Sequence, residues 1–181
     1  LYAEALVSVN KAINSTFNIS GNVGGAIEDI QFNQDLYGGK LVGVANLYTY
    51  ANVNRNIADI NQSGFKRQKQ SIFGNVQLGY KNMVFLDIAG RHDFASTLAG
   101  ANVDGFSYPS VGLSAIITDL FDIQSSKLSF LKLRAAYAEV GLEPDPFLTI
   151  PTYALAGGLP VTRTRMPNPD LKAELTKSFE V

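Results

Sequence analysis

The sequence predicts an all-β fold, an antiparallel transmembrane β-barrel segment of about seven strands, and three observations carry the prediction. Apolar residues recur with period two wherever the chain is regular. The connections between those segments alternate between short and long. The charges inside the strong segments, Asp87, Arg91, Lys132 and Arg134, are expected opposite the apolar face, with none on it. At bilayer midplane a Lys or Arg facing lipid costs ~2–4 kcal/mol, which selects for such a partition.

The strands follow in chain order. Tyr2 to Val9 is a weak first strand. Thr16 to Ile27 sets Phe17, Ile19, Val23 and Ile27 against Asn18, Ser20 and Asn22. Ser71 to Tyr80 opposes Ile72, Val76, Leu78 and Tyr80 to Ser71, Asn75 and Gln77, and Val84 to Arg91 opposes Val84, Leu86 and Ile88 to Asp87 and Arg91. Tyr108 to Ile117 and Leu131 to Val140 continue the alternation, and Lys177 to Val181 begins one more strand. Gly, Asn and β-branched residues inside these segments disfavour helix. The exception is Ile117 to Phe121, where Thr118 and Asp119 are expected to cap a short helical turn. Tyr80 and Tyr137 are expected to end apolar rows near strand termini, as interfacial aromatics do.

Between strands, 11–15 and 81–83 read as short, 118–130 as intermediate, and 28–70, 92–106 and 141–173 as long. Antiparallel strands return to the same rim at every second connection, so one rim carries tight turns and the other large loops, as in outer-membrane barrels. Leu41 to Tyr50 also alternates and is expected to extend the sheet. A soluble or surface β-sandwich ligand-binding module is the alternative, because a half-buried sheet alternates in the same way.

Composition narrows the function classes. The chain has 181 residues, 15 Lys+Arg against 16 Asp+Glu, no cysteine and one histidine. That balance offers no basic surface for nucleic acid. Without cysteine there is no disulfide framework or thiolate metal site, and His92 alone removes most zinc and iron arrangements, so no cofactor and no metal is expected. Leu1 opens without Met or signal peptide and Val181 closes inside a strand, so an excerpt of a longer protein is expected.

His92, Asp93 and Ser96 supply the residue types of a hydrolase. Neighbours on a strand end rarely converge into a triad, and no G-x-S-x-G elbow accompanies them. Arg91 and Asp93 are instead expected to point to the polar side and anchor the rim by ion pairing. Glu143, Asp145, Asp170 and Glu174 match no EF-hand spacing and read as solvated loop charges. Aromatics in the large loops are the ligand candidates: Tyr37, Tyr48, Tyr50, Phe147 and Tyr153, with Asn46, Asn52, Asn54 and Arg55 interleaved. Flat apolar faces beside amide donors and acceptors suit sugar rings or peptide backbones. Asp87, Arg91, Lys132 and Arg134 are the interior polar candidates, for pairing with a plug or with neighbouring strands.

The stretch QSIFGNVQLGYKNMVFLDIAGRHDFASTL (70–98), then FSYPSVGLSAIITDLF (106–121) and LSFLKLRAAYAEVG (128–141), resembles SusC/RagA-type TonB-dependent receptors of the bacterial outer membrane. NPDLKAELTKSFEV (168–181) resembles that family's entry into a further strand, and residues 1–69 fit more loosely. Phe94 stands where the family often has Trp, which keeps the aromatic body. Ala173 stands where Pro is common, which loosens one loop. The resemblance implies a large plugged barrel of ~22 strands. It further implies import of an oligosaccharide or peptide, energised by the TonB complex acting through a plug that has no counterpart in these residues. A SusD-like surface lipoprotein would form the lid, and outer-membrane lipid would surround the wall.

Overall fold

The computed structural model describes residues 1–56, 58–125, 127–156, 159–162 and 165–181. The alternating segments become β1 (Tyr2–Ala12), β2 (Phe17–Gly38), β3 (Asp59–Tyr80), β4 (Val84–Ala95), β5 (Gly105–Ile116), β6 (Lys132–Leu142) and β9 (Glu174–Glu180). A single helical turn, α1 (Ile117–Leu120), follows β5, and a small hairpin, β7 (Tyr153–Ala156) with β8 (Leu159–Thr162), lies between β6 and β9. The seven longer strands form one sheet in the order β1-β2-β3-β4-β5-β6-β9. Every register resolved within it is antiparallel. The chain forms two compact units, residues 1–29 with 68–181, and residues 30–67. The second consists of the far ends of β2 and β3 and the loop joining them.

Register sorts the two faces of the sheet. Leu78 pairs with Leu86 and Leu86 with Leu113; Val76 pairs with Ile88, and Ile88 with Val111. Val111 in turn pairs with Tyr137, and Tyr137 with Phe179, so one apolar row crosses five strands. This row is not packed under a second layer. Val76 is 41% exposed and Val111 44%, and the only buried apolar side chains among the described residues are Ala95 and Leu98. A β-sandwich would bury that face against a partner sheet. The alternative read from the sequence therefore has no second layer here.

On the other face Gln77, Asp87, Gly112, Ala136 and Glu180 form one cross-strand row, with Ser114 opposite Arg134. Two charges, Glu139 and its register partner Lys177, depart from the expected partition. Glu139 shares the outer face of Leu133 and Tyr137, where it binds Lys177 at 3.2 Å and accepts the Tyr137 hydroxyl at 2.5 Å. The apolar row on β6 stops there. Tyr137 ends that row as expected but stands in the middle of β6, whereas Tyr80 is a true strand end.

The tight rim is built by local chemistry. Lys81 and Asn82 both have positive φ, 49° and 56°, and Met83 N–H donates to Tyr80 carbonyl at 2.9 Å. This is a type I′ hairpin turn, whose twist suits antiparallel strands. Asn14 Oδ1 accepts from the N–H groups of Thr16 and Phe17, each at 2.8 Å, closing the neighbouring turn. Asn18 donates to Asn82 at 2.8 Å and ties the two turns together. Close strand approach explains one glycine: a Cβ on Gly21 would lie 2.5 Å from the Asn75 carbonyl oxygen.

Several boundaries differ from expectation. The 28–70 connection shrinks to 39–58 because β2 and β3 each run on to 22 residues. Leu41 to Tyr50 does not extend the sheet; only an isolated bridge, Leu41 with Val53, forms there. Thr118 and Asp119 lie inside α1 and do not cap it. The Thr118 hydroxyl donates to Asp119 and accepts the Leu131 N–H instead.

Candidate functional site

Three places gather polar or aromatic groups, and each is set by the strand geometry beneath it. The first is a hollow of about 590 Å³ on the polar face, lined among others by Gln77, Asp87, Lys132, Arg134 and Glu180. Gln77 donates to Asp87 at 2.7 Å, and Arg134 binds Glu180 at 2.8 Å. Lys132 makes no ion pair among the described residues. Three of the four interior candidates, Asp87, Lys132 and Arg134, therefore share one hollow, and Arg91 stands apart from it.

Arg91 belongs to a second cluster, on the same face toward the large-loop rim. Its Nε donates to Asp93 Oδ1 at 2.7 Å and a terminal nitrogen donates to Ser71 Oγ at 2.8 Å. The guanidinium also lies 5.5 Å from the Phe73 ring centre. Tyr108 donates its hydroxyl to Asp93 Oδ2 at 2.7 Å, and Asp93 is 2% exposed. The expected Arg91–Asp93 pair is present, and it sews β3, β4 and β5 together side chain to side chain. Ser71 and Tyr108 were not singled out from the sequence. The signal for Tyr108 was its parity with Ser110 and Gly112, which puts it on the polar face.

The hydrolase triad does not assemble. His92 and Asp93 are strand neighbours and project to opposite faces. His92 Nδ1 lies 2.7 Å from Ser107 Oγ, and Ser96 Oγ accepts the Gln68 N–H at 2.9 Å. The four loop carboxylates also take separate places. Glu143 accepts from Thr97 at 3.2 Å, Asp170 accepts from Asn102 at 2.6 Å, and Glu174 opens β9. Among the described residues no three metal-ligating side chains come together.

The loop candidates fall into two groups, one in each unit. In the unit formed by 30–67, the rings of Tyr37 and Tyr50 lie 4.8 Å apart and Arg55 sits 5.4 Å from the Tyr50 ring centre. Tyr48 is 82% exposed and stands free of that stack. Asn52 is 7% exposed and its amide is fully engaged within the loop. It accepts from Gly43 and Val44 N–H and donates to the Val44 and Leu47 carbonyls at 2.6–3.0 Å. Asn52 therefore shapes the loop that presents the tyrosines and has no amide group left for a ligand. Asn46 adopts a left-handed backbone conformation, and Asn54 accepts the Asn56 N–H at 3.1 Å.

In the other unit, Phe147 and Tyr153 are exposed on the 143–173 segment, Tyr153 within β7. This segment interlocks with residues 96–104. Thr149 donates to the Ala99 carbonyl at 2.5 Å, Asn102 N–H donates to the Pro169 carbonyl at 2.7 Å, and Leu98 is 1% exposed beneath them. Gly100, at φ 81°, packs where a Cβ would strike Ile150. The best-buried apolar side chain among the described residues thus lies at the loop rim and not in the wall.

A one-layer sheet with an exposed apolar face, a polar opposite face, tight turns on one rim and large loops on the other defines the wall of an outer-membrane-type β-barrel. The family comparison is specific: the model described as "TonB dependent receptor-like, beta-barrel" matches residues 3–181, and the chain belongs to that family. It is 32% identical over 136 residues to TonB-dependent receptor P26 of Formosa agariphila, a match covering 70% of this chain and 13% of that protein. The RagAB peptide transporter structure aligns over 98% of this chain and 20% of its own, with a TM-score of 0.77 and 20% identity. The RagAB peptide importer in its "closed-closed" state gives 0.74 and 19%. At that identity the structural likeness speaks for the fold. The chain spans only a small part of each of these relatives, and the SusC/RagA-type resemblance holds at the level of family and fold.

Proposed function

We propose that this chain is part of the barrel wall and outer loops of a TonB-dependent importer in the bacterial outer membrane. On this reading all 181 residues belong to the barrel, and the plug and the remaining strands lie elsewhere in the full protein. The work is selective binding and passage of a nutrient, an oligosaccharide or a peptide, without bond chemistry. The TonB complex would supply energy through the plug, and a SusD-like lipoprotein would cover the outer loops. Asp87, Lys132 and Arg134 would meet the plug or the solute path. Tyr48, Tyr50, Arg55, Phe147 and Tyr153 would meet ligand, with Asn52 holding the first two in place.

One observation carries the proposal. The apolar row through Val76, Leu86 and Val111 has no protein layer over it, while the alternate row lines a polar hollow. Hydrocarbon is the environment that rewards such a row. The test is a paired substitution in the full receptor, scored by heat-modifiable mobility of outer-membrane fractions. Leu86→Arg, flanked by Leu78 and Leu113, should lose ~2–4 kcal/mol and assemble poorly. Asn75→Arg on the polar side should assemble nearly as the parent does. Equal assembly of the two variants would defeat the proposal.

A further inference from the structure

The apolar band on the outer face does not stop at one register row. Toward the large-loop rim its last big apolar side chain is Ile27 on β2, followed on that face by Asp29, and Ile72 on β3, followed by Gln70. On β4 it is Ile88, with His92 past Gly90; on β5 it is Val111, with Ser107 past Pro109; on β6 it is Tyr137, followed by Glu139. Gly21 lies against Val76 and Gly74 against Val23, and the ladder runs on from Val76 through Ile88 and Val111 to Tyr137. From β2 to β6 the border therefore falls six residues, from Ile27 to the level of Gly21, while crossing four strand spacings. That is about 20 Å along the strands against about 19 Å across them, a slope of about 45°. The opposite border slopes the same way. Lys11 on β1 stands in the row of Ile19, Leu78, Leu86 and Leu113, whereas β6 stays apolar one row nearer the tight rim, at Leu133. Between the borders the apolar stretch is Phe17–Ile27 on β2 and Ile72–Tyr80 on β3. At that slope these stretches are about 20–25 Å tall, close to the ~25 Å band of outer-membrane barrels, whose strands tilt by ~35–45°.

We propose that the bilayer surface on the large-loop side crosses this sheet obliquely, from between Ile27 and Asp29 on β2 to between Tyr137 and Glu139 on β6. Lipid headgroups meet Gln70, His92, Ser107 and the Glu139–Lys177 pair, and hydrocarbon begins just below them. The inference rests on the barrel-wall reading and adds where the membrane lies on that wall. A docked protein covers a patch of its own outline, whereas a flat slab imposes two parallel borders at the strand tilt. The two outer-face charges now have a place. Glu139 and Lys177 stand at headgroup level, and Tyr137 keeps its ring below while its hydroxyl reaches Glu139, the posture of an interfacial aromatic. His92 Nδ1 and Ser107 Oγ, 2.7 Å apart, satisfy each other along the same border. Two apolar side chains stand past it. Phe94 sets its ring against His92, 4.4 Å between centres, as a second interfacial aromatic, and Leu175 is a single aliphatic residue near the start of β9.

The test places one nitroxide at a time on the full receptor in phosphatidylcholine vesicles, through single-cysteine variants on a cysteine-free background. Depth is read from collision with oxygen against collision with a water-soluble nickel chelate. Val23 and Glu139 each lie two residues to the loop side of the row through Val76 and Tyr137. On an oblique border the label of Val23→Cys lies roughly 13 Å deeper than that of Glu139→Cys, the height gained over four strand spacings at that slope. Labels at Gln70, Ser107 and Glu139 sit on three different rows and should share one depth within about 3 Å. Equal depth for Val23 and Glu139 would overturn the oblique border. Ile72 and Ser107 share one row two strands apart and repeat the comparison with an expected difference of about 7 Å. That pair decides where a label at Val23 or Glu139 blocks assembly, which heat-modifiable mobility detects. Labels at Ile88 and Val111 separate the two readings. Hydrocarbon there, with equal depths along each row, sinks the oblique border alone; water there sinks the barrel-wall reading itself.

Discussion

Removing the Asp93 carboxylate probes whether the wall is anchored by side chains as well as by its backbone ladder. Asp93 is 2% exposed and accepts Arg91 Nε and the Tyr108 hydroxyl, both at 2.7 Å. Deleting one partner of a fully buried pair costs ~3–5 kcal/mol, because the remaining charge is left uncompensated. The Arg91 side chain is 32% exposed, so water recovers part of that loss. About 2–3 kcal/mol is then expected for Asp93→Ala. Arg91→Ala leaves the less accessible charge stranded beside Tyr108 and should cost about 3 kcal/mol. The double variant should cost less than the sum by about 1–2 kcal/mol, the coupling expected of contacting charges. Guanidinium unfolding of the full receptor in detergent, followed by the strand signal in far-ultraviolet circular dichroism, measures all three. Additivity within ~0.3 kcal/mol would show that the pair does not couple the strands and would refute the anchoring role given to it.

Three further outcomes follow from local geometry. Lys81→Gly should stabilise the tight turn by up to ~1 kcal/mol, since Lys81 sits at φ 49° where a side chain is strained; a lower unfolding midpoint would contradict the type I′ assignment. Asn52→Ala removes four hydrogen bonds from a buried amide and should loosen the 39–58 loop by ~1–3 kcal/mol, seen as faster limited proteolysis there with the rest of the receptor unchanged. Leu98→Ala should cost ~2–5 kcal/mol of local stability and raise hydrogen exchange in both 96–104 and 143–173; exchange confined to one segment would show that they are not interlocked.

The wall was legible in the sequence because its physics is one-dimensional. Period two alone assigns Val76, Leu86 and Val111 to one face and Asn75, Asp87 and Gly112 to the other, and the register agrees strand by strand. What period two does not encode is where a strand stops. The continuations of β2 through Gln31–Gly38 and of β3 from Asp59 are rich in Asn, Gln and Asp, so they lack an apolar row to reveal them. Leu41–Tyr50 shows the converse failure, since it alternates yet is captured by the Asn52 amide into a loop. The parity of Glu139 with Leu133 and Tyr137 already puts it on the outer face, against the expected partition; what the sequence hides is its compensation on another strand, at Lys177, 38 positions along the chain.

The same contrast explains where this protein keeps its buried apolar side chains. A soluble sheet earns stability by burying one face against protein, and its best-packed residues lie mid-strand. Here the mid-strand apolar residues stay at the surface, and Leu98, the least exposed apolar side chain among the described residues, sits between two large loops. On the proposed reading hydrocarbon meets the apolar face, so the wall would gain little from protein packing there and would rest on the hydrogen-bonded ladder and on cross-strand clusters such as Arg91–Asp93–Tyr108. Loops standing in water, as that reading has them, hold a shape by burying Leu98 and pairing Thr149, Asn102 and Asp170. If the import reading holds, recognition falls to these interlocked loops and the strands serve as their scaffold.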